Sequence, residues 1–254
     1  MEEKVFCALI LAAGKGTRMK SDLAKVLHVL EDKPLLHYCL QSAHRAGAEK
    51  IVVIIGHQAD KIRDDFSGSG CIFVEQKPQL GTGHAVLQAK EALAGYQGKT
   101  VILCGDVPLL KPSTIKSLIE NHIATGAAIT VLTTIPPDAS GYGRIIKDSD
   151  GKIAKIVEER DATAAEKKVG EINTGIYCAD TPLLFEVLGK VTNNNDQKEY
   201  YLTDIVEIAC SEGRKVKSHI ATDYIEVMGI NTPDELSRAG LYLKKQKVFG
   251  LKSV

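Results

Sequence analysis

Short apolar runs alternate with amphipathic segments through the first half of the chain. The apolar runs are rich in β-branched residues and predict buried strands at 5–10, 51–55, 71–74, 100–104 and 127–134. The amphipathic segments between them predict helices at 34–47, 58–66, 82–93 and 112–125. Such a regular alternation of strand and helix predicts an α/β fold with a Rossmann-like, doubly wound, mostly parallel sheet.

The second half of the chain departs from this alternation. Two short apolar runs at 144–147 and 153–157 flank the turn sequence Asp148–Gly151 and predict a β-hairpin. Further strands are predicted at 172–178, 215–220 and 224–228, and helices from Thr181, over 200–210 and from Thr232 to about 248. The last of these helices has a strong start signal, with Thr232 as the N-cap, Pro233 at the first position, and Asp234 and Glu235 in the first turn. The pattern therefore predicts a mixed β half that ends in a C-terminal helix.

A small, basic loop follows the first predicted strand. It contains Gly14, Gly16 and Arg18, and Lys25 lies shortly after it. Glycine lacks the Cβ that would keep backbone N–H groups away from a phosphate, and the two cations match the charge of a phosphate. The loop does not match a Walker A motif, and Met19 stands where the Rossmann fingerprint needs its third glycine. The sequence predicts a phosphate-binding loop of another kind, with an ordinary glycine-containing turn as the alternative.

Polar residues follow other predicted strands as well. Gln79 can hydrogen-bond to a base, Gly81 allows close packing against a flat ring, and Thr82 can cap the next helix. Asp106 follows a strand directly and is a candidate ligand for Mg²⁺, to which Asn231 could add a neutral oxygen. Because ligands of parallel sheets bind beyond the carboxyl ends of the strands, these residues predict one site. Turn and cap roles remain the alternative for each.

Composition and charge narrow the class of protein. The 254 residues include 32 basic and 32 acidic side chains, and this balance does not favour binding to nucleic acid or to a membrane surface. No apolar run approaches the roughly 20 residues that span a bilayer, and Glu2 and Glu3 depart from the basic start of a signal peptide. The six cysteines are widely spaced, which favours reduced thiols over disulfides or zinc ligands. We therefore expect a cytoplasmic protein.

Several short motifs, taken together and in order, give the chain a resemblance to a known family. The string from Leu11 to Met19, followed by Lys25, resembles the signature of the sugar-nucleotide pyrophosphorylases. Four more motifs narrow the resemblance: Gln79–Ala85, Gly141–Arg144, Glu171–Gly175 and Glu199–Asp204. With these, nearly the whole chain resembles the uridylyltransferase domain of the bacterial bifunctional N-acetylglucosamine-1-phosphate uridylyltransferase/glucosamine-1-phosphate acetyltransferases.

This resemblance implies a sheet of the nucleotide-diphospho-sugar transferase type and a specific reaction. UTP and N-acetyl-α-D-glucosamine 1-phosphate would be the partners, and UDP-N-acetylglucosamine and pyrophosphate the products. The implied organisation is a nucleotidyltransferase domain over 1–230, with a nucleotide-binding half over about 1–110 and a sugar-binding half over about 111–230. Residues 231–254 would form a C-terminal helical arm.

The resemblance also implies the roles of individual residues. Arg18 and Lys25 would be the catalytic residues that hold the triphosphate, and Asp106 and Asn231 would bind the cofactor Mg²⁺. The implied substrate-binding residues are Leu11, Ala12, Ala13, Gly14, Lys25, Gln76, Gln79, Gly81, Thr82, Cys104, Gly105, Asp106, Gly143, Glu158, Asn173 and Asn231. Of these, Gly143, Glu158 and Asn173 would bind the N-acetylglucosamine part.

Two departures from the family pattern limit these expectations. Cys104 stands where the best-known members have Tyr. The hexapeptide repeats of the family's acetyl-transferring β-helix domain are not found in this sequence, so we expect neither acetyl transfer nor the trimer formed by that domain, and the oligomeric state stays open. The alternatives are another sugar-1-phosphate nucleotidylyltransferase, using glucose 1-phosphate with UTP or dTTP, or a non-catalytic nucleotide-sugar sensor.

Overall fold

A computed structural model describes residues 5–248 of the chain. Its strands are β1 (Phe6–Ala12), β2 (Val29–Leu30), β3 (Lys33–Pro34), β4 (Lys50–Ile55), β5 (Ile72–Glu75), β6 (Lys99–Cys104), β7 (Ile129–Thr134), β8 (Arg144–Lys147), β9 (Ile153–Val157), β10 (Ile172–Asp180) and β11 (Val216–Ile220). Its helices are α1 (Leu35–Ala46), α2 (Ala59–Asp65), α3 (Thr82–Leu87), α4 (Pro112–Thr125), α5 (Thr181–Leu188), α6 (Asp204–Ser211) and α7 (Pro233–Val248).

The central sheet has its main strands in the order β11-β7-β10-β6-β1-β4-β5, and the predicted hairpin β8–β9 extends from β10. β1 pairs in parallel with β4 and β6, β4 with β5, and β7 with β11. β10 runs antiparallel between β6 and β7. The predicted mostly parallel sheet is confirmed, and its one reversed central strand brings the start of β10 to the edge where β1, β4, β5 and β6 end.

Alternate residues of β1 face two different layers of the core. Ala8 and Ile10 pack on one side, in the same cluster as apolar residues of α1 and α4. Cys7 and Leu9 pack on the other side, in the same cluster as apolar residues of α3, α5 and α6. Burial of both faces explains the uninterrupted apolar runs of these strands. The two helical layers confirm the doubly wound α/β architecture.

The strand predicted at 224–228 is wrong, because Tyr224–Val227 forms a 3₁₀ turn. Asp223 caps this turn by accepting a hydrogen bond from the backbone N–H of Ile225 at 3.0 Å. Such local side-chain bonding offers the backbone an alternative to a sheet ladder. Asn231 consequently follows a turn, and not a strand as predicted.

A buried carboxylate in the same turn reinforces the correction. Glu226 is almost fully buried, accepts a hydrogen bond from Thr114 Oγ1 at 2.9 Å, and lies 3.4 Å from Lys111 Nζ. A buried carboxylate needs such partners, and both of these are supplied by the N-terminus of α4. Tertiary partners of one side chain therefore override the β-branched pattern of its neighbours.

Two helix boundaries also differ from the prediction. Pro34, predicted as the first residue of α1, precedes that helix and pairs with Val29 in the short strand β3. α3 ends at Leu87, and not at residue 93 as predicted, because the backbone continues in tighter i→i−3 turns. The bond from Gln88 N–H to the Ala85 carbonyl, at 3.1 Å, begins this change.

The helix predicted over 200–210 begins only at Asp204, because the preceding backbone bonds elsewhere. The N–H of Tyr200 donates to the Leu80 carbonyl at 2.8 Å. The N–H of Leu202 donates to Thr82 Oγ1 at 3.0 Å. The predicted cap of α3 by Thr82 is therefore wrong, since this hydroxyl instead accepts from a segment 120 residues away.

α7 begins with the N-terminal capping that the sequence predicts. Thr232 Oγ1 accepts from the Glu235 N–H at 3.2 Å, and the Glu235 carboxylate accepts from the N–H groups of Thr232 at 2.9 Å and Asn231 at 2.6 Å. Ala239 packs on a small cluster that includes Met19. The start of α7 thus holds the backbone at Asn231. Within residues 5–248, no helix has the length and apolar character needed to cross a bilayer.

Candidate active site

The predicted phosphate loop leaves β1 at the sheet edge where four parallel strands end. The N–H of Gly105 donates to the Leu11 carbonyl at 2.9 Å and holds the residue after β6 against the end of β1. The Ala13 carbonyl accepts from the His57 N–H at 3.1 Å and from Gln79 Nε2 at 2.7 Å. These bonds fix the start of the loop through its carbonyl groups.

The two glycines of the loop have different structural surroundings. Gly16 has a φ of +70°, and a Cβ there would lie 2.7 Å from Lys25 Cβ, so both conformation and contact require glycine. At Gly14, no atom of the described residues lies within 4 Å of a Cβ position. Gly16 therefore lets Lys25 approach the loop, whereas Gly14 borders open space.

Four predicted site residues from distant segments meet in one cluster. Lys25 Nζ donates to Asp106 Oδ2 and, at 2.7 Å, to Asn231 Oδ1. Arg18 Nη2 donates to the same Asn231 oxygen at 2.8 Å. Asn231 Nδ2 donates to the Gly229 carbonyl at 3.1 Å, which directs the amide oxygen toward the two cations.

The oxygens of this cluster fit a divalent cation. Asp106 and Asn231 converge on a single positive group, the Lys25 ammonium, and both offer the hard oxygen ligands that Mg²⁺ prefers. Across residues 5–248, no group of three or more His, Cys, Asp or Glu side chains could hold a metal ion. Asp106 and Asn231 would therefore hold a Mg²⁺ ion here together with substrate phosphate and water, the ligands that this ion prefers.

A cavity of about 340 Å³, the loop cavity, opens beside β1. Its volume lies within the range of small-molecule sites. Gln76 is buried behind it, with Nε2 3.0 Å from the Gly81 carbonyl. The lining residues are Leu11, Ala12, Ala13, Gly14, Lys25, Val26, Gln76, Gln79, Gly81, Thr82, Ala85, Cys104, Asp106 and Glu199.

A second cavity of about 210 Å³, the hairpin cavity, lies toward β8–β10 and shares Leu11, Thr82 and Cys104 with the loop cavity. Glu158 accepts a hydrogen bond from Thr203 Oγ1 at 3.1 Å. Burial raises the pKa of Glu158, against the lowering effect of that hydrogen bond. The lining residues are Leu11, Thr82, Cys104, Gly141, Tyr142, Gly143, Glu158, Asn173, Thr174, Gly175, Tyr177, Leu202 and Thr203.

A third cavity of about 190 Å³, the Arg18 cavity, lies beside the charged cluster. It contains Arg18, Asp106 and Asn231, and it shares Cys104 with both other cavities. Its lining residues are Arg18, Cys104, Asp106, Val107, Ser140, Gly141, Tyr142, Thr174, Gly229, Asn231 and Glu235. The three cavities therefore form one connected site around the end of β6.

Two groups near the centre of the site remain protonated at neutral pH. Burial, reinforced by the charge of Asp106, raises the pKa of the Cys104 thiol to about 12. Cys104 Sγ donates to the Gly175 carbonyl at 3.4 Å and is therefore a structural thiol rather than a nucleophile. Burial and the nearby Glu235 likewise raise the pKa of Tyr142 to about 12.

The structure gathers the predicted site residues and adds several that sequence reasoning did not assign. All of the predicted ones line a cavity except Gly105, which instead bonds the end of β1. The unassigned residues that line the site include Tyr142, Thr174, Glu199, Thr203 and Glu235. The first four lie within the motifs that carry the family resemblance, so these motifs could have identified them. For Glu235 the sequence offered only the helix-capping pattern at the start of α7.

Comparisons with known proteins identify the family of the chain. The model of the MobA-like NTP transferase domain matches residues 8–139. The bifunctional protein GlmU of Geobacter metallireducens is 49% identical over 240 residues, which cover 94% of this chain and 50% of that protein. GlmU of Desulfotalea psychrophila is 44% identical over 246 residues, covering 97% of this chain and 73% of that protein. The chain thus spans about half the length of most of the relatives compared, including the first.

A solved structure supports the fold. The crystal structure of UDP-glucose pyrophosphorylase complexed with UDP-glucose superposes with a TM-score of 0.74 and 20% sequence identity, covering 95% of this chain and 99% of that one. At that identity the similarity concerns the fold alone, which is that of the nucleotide-diphospho-sugar transferases. From its domain match and its relatives, the chain belongs to the MobA-like NTP transferase family, alongside the bifunctional GlmU proteins.

Proposed function

We propose that the chain transfers a uridylyl group from UTP to N-acetyl-α-D-glucosamine 1-phosphate and releases pyrophosphate. The main supporting observation is that the loop cavity and the hairpin cavity share three lining residues and meet at Cys104, two residues before Asp106. Substrates in the two cavities would present their phosphates to one charged centre. Similarity to the GlmU proteins supports this pair of substrates.

In this proposal the loop cavity binds UTP. The small residues that follow β1 leave room for ribose and phosphates, and Gly14 borders open space in front of the loop. Gln76 and Gln79 supply side-chain amides toward the base, and the backbone of Gly81 and Thr82 lies beside them. Leu11, Ala12 and Ala13 form one wall of the cavity, and Cys104 and Gly105 close it at the end of β6.

The hairpin cavity binds the N-acetylglucosamine part. Asn173 offers an amide and Glu158 a carboxylate, and both can hydrogen-bond to sugar hydroxyl or acetamido groups. Gly143 packs closely beside Asn173, since a Cβ there would lie 3.1 Å from Ile156 Cγ2 and 3.6 Å from Asn173 Cβ. Among the described residues, no Lys or Arg lines this cavity, so it suits the uncharged sugar and leaves the phosphate to Lys25.

The reaction needs no general base, because the sugar phosphate is already anionic at neutral pH. One of its oxygens attacks the α-phosphorus of UTP in line, and pyrophosphate leaves. Catalysis then consists of positioning and of neutralising charge. Lys25 holds the α-phosphate and the sugar phosphate, and Arg18 stabilises the charge that develops on the leaving pyrophosphate.

Asp106 and Asn231 hold Mg²⁺ in this proposal. When bound, the ion neutralises the phosphates of both substrates and acts as a Lewis acid. Lys25, which bonds the same two oxygens in the protein alone, turns its ammonium group to the phosphates. The side-chain oxygens of Asp106 and Asn231 would therefore bind either the Lys25 ammonium group or Mg²⁺.

We also retain the predicted organisation as part of the proposal. The division is a nucleotide-binding half over about 1–110, a sugar-binding half over about 111–230, and a helical arm over 231–254, of which residues 1–4 and 249–254 lie outside the part that the structure describes. Glu199, from the second half, lines the loop cavity, so the halves complete one site together.

A cytoplasmic location is supported by the six cysteines, none of which forms a disulfide within the described residues.

The test is pyrophosphate release over a grid of nucleotides and sugar 1-phosphates, with and without Mg²⁺. We expect Mg²⁺-dependent release with UTP and N-acetylglucosamine 1-phosphate, far above that with glucose 1-phosphate or dTTP. Release only with another pair would contradict the proposed substrates and keep the reaction class. Nucleotide binding without release from any pair would establish a sensor and overturn the enzymatic proposal.

A further inference from the structure

A line of side-chain contacts lies behind the loop cavity. Gln76 Nε2 is 3.0 Å from the Gly81 carbonyl oxygen and 3.0 Å from His84 Nδ1. A backbone carbonyl can only accept, so the amide atom that faces Gly81 must be the nitrogen. The orientation of the Gln76 amide therefore follows from chemistry. Its oxygen is the remaining polar atom, and within residues 5–248 no donor bonds to it.

The contact with Gln76, the more buried of the two amides that face the His84 ring, assigns the position of the ring proton. Because Gln76 Nε2 donates, Nδ1 of His84 must accept, and the proton of the neutral ring is on Nε2. Burial lowers the pKa of His84, so the ring is neutral at pH 7. Gln88 Nε2 lies 3.2 Å from His84 Nε2 and also donates to the His84 carbonyl at 3.1 Å. Because Gln88 is only half-buried, its amide can give up the carbonyl bond and turn its oxygen to the Nε2 proton. The Nδ1 lone pair thus stays available to Gln76.

An amide oxygen held toward a base distinguishes the pyrimidines. Uracil presents its N3–H as a donor, which this oxygen can accept. Cytosine presents an acceptor at N3, and two acceptors that face each other repel. Cytosine can meet the oxygen only through its N4 amino group, one ring position away, which displaces the base along the cavity.

We propose that His84 is a positioning residue for base selection: by accepting from Gln76 Nε2, it holds the Gln76 amide oxygen toward the base and favours uracil over cytosine. The inference rests on the proposed function, in which the loop cavity binds the nucleotide base. It deepens that function, since it assigns the selectivity to a residue that does not itself line the cavity.

The experiment compares equilibrium binding of UTP and CTP by calorimetry with steady-state kinetics for both nucleotides. His84→Phe removes the acceptor, and we expect the preference for UTP over CTP to fall by about 3- to 10-fold, as for one neutral hydrogen bond. His84→Asn places an amide oxygen near Nδ1 and should keep the preference within about twofold of the wild type. Lys90→Ala is the matched control, because Lys90 is exposed and lies shortly after the end of α3.

The effect should fall on the KM of the nucleotide, with kcat and the KM of the sugar phosphate unchanged. Thermal melting checks that His84→Phe folds, and His84→Leu is the smaller replacement if it does not. An unchanged UTP-to-CTP ratio in the folded Phe or Leu variant, or equal losses in Phe and Asn variants, overturns the role of His84. A wild-type protein without preference for UTP contradicts the proposed substrate instead, and binding data separate the two outcomes even without turnover.

Discussion

The loop cavity and the hairpin cavity adjoin each other but are built in different ways. The loop cavity is formed largely by small residues and backbone at the ends of adjacent parallel strands, as in the run Leu11–Gly14. The hairpin cavity is formed by side chains from separate segments, among them Glu158, Asn173 and Thr203. The loop cavity therefore depends on a short sequence motif, whereas the hairpin cavity depends on packing between segments that are distant in the sequence.

The loop cavity and the hairpin cavity also differ in the charged groups that line them. Lys25 lines the loop cavity and bonds to Asp106 beside it, so this region can accept the strong negative charge of a triphosphate. The hairpin cavity contains Glu158, whose pKa is raised by burial. This difference supports the proposal that phosphates bind on the loop side and hydroxyl groups on the hairpin side. Changes on the loop side should therefore reduce turnover, and changes on the hairpin side should mainly weaken sugar binding.

The largest effect is expected from Arg18→Ala. Removing a preorganised donor to the leaving group should lower kcat by about 10²–10³-fold and leave the KM of the sugar phosphate nearly unchanged. Arg63→Ala is the matched control, since Arg63 is exposed and pairs with Asp60 on α2. Steady-state kinetics with both variants measure the difference. A normal kcat for a folded Arg18→Ala protein would remove Arg18 from the mechanism.

The two loop glycines test the backbone part of the comparison. Gly16→Ala forces a left-handed φ on Ala and a contact with Lys25, and should cost about 2 kcal/mol, or roughly 4–8 °C in Tm. Gly14→Ala meets no such contact and should leave Tm unchanged, while it raises the KM of the nucleotide. Thermal melting with kinetics separates these outcomes. Equal losses of Tm would show that the two positions do not differ as described.

On the hairpin side, Glu158→Gln should raise the KM of N-acetylglucosamine 1-phosphate about tenfold with little change in kcat. The reason is that a hydrogen bond to a charged acceptor contributes about 1.5–3 kcal/mol, more than one to a neutral amide. The KM of UTP serves as the internal control. If kcat falls as strongly as in Arg18→Ala, the functional division between the cavities is wrong.

The same substitution has a consequence for stability. The pKa of Glu158 is raised above its ordinary value of 4.5, so the ionised carboxylate disfavours folding above that raised pKa, and the cost disappears as the pH falls to 4.5. Glu158→Gln should therefore raise Tm at pH 7.5 and lose this advantage toward pH 4.5. Melting curves across this range test the sign. An increase in Tm from Glu158→Gln that becomes larger as the pH falls would contradict the expected sign.

The smallest effect is expected at the start of α7, outside both cavities. Thr232→Ala removes the acceptor for the Glu235 N–H and should cost about 1 kcal/mol, or roughly 2–4 °C in Tm. Because Glu235 also bonds the Asn231 N–H, the Mg²⁺ concentration for half-maximal activity should rise modestly. Ser237→Ala, later in the same helix, is the control. An unchanged Mg²⁺ response in Thr232→Ala would show that the helix cap does not influence Mg²⁺ binding by Asn231.

Much of the loop side could be predicted from sequence because its information is local. A buried strand, a glycine loop and a following cation stand close together in the chain, and the carboxyl end of β6 presents Asp106 by the general rule for parallel sheets. The N-terminal cap of α7 was equally local. The strand predicted at 224–228 failed for the opposite reason, because Lys111 and Thr114 lie far from Glu226 in sequence.

The amino-acid sequence by itself determined the alternating α/β pattern and the glycine-containing loop from Leu11 to Met19, and its resemblance to a family predicted which residues line the hairpin cavity. Only the tertiary structure decided that Arg18 and Lys25 meet Asn231, a contact across 213 residues for Arg18. It also decided that the Gln76 amide contacts the His84 ring, and that the Thr82 hydroxyl accepts from the Leu202 N–H instead of capping its own helix. The physical reason is that periodicity and turn chemistry act over a few residues, whereas buried polar groups take their partners from whichever segment the fold brings near.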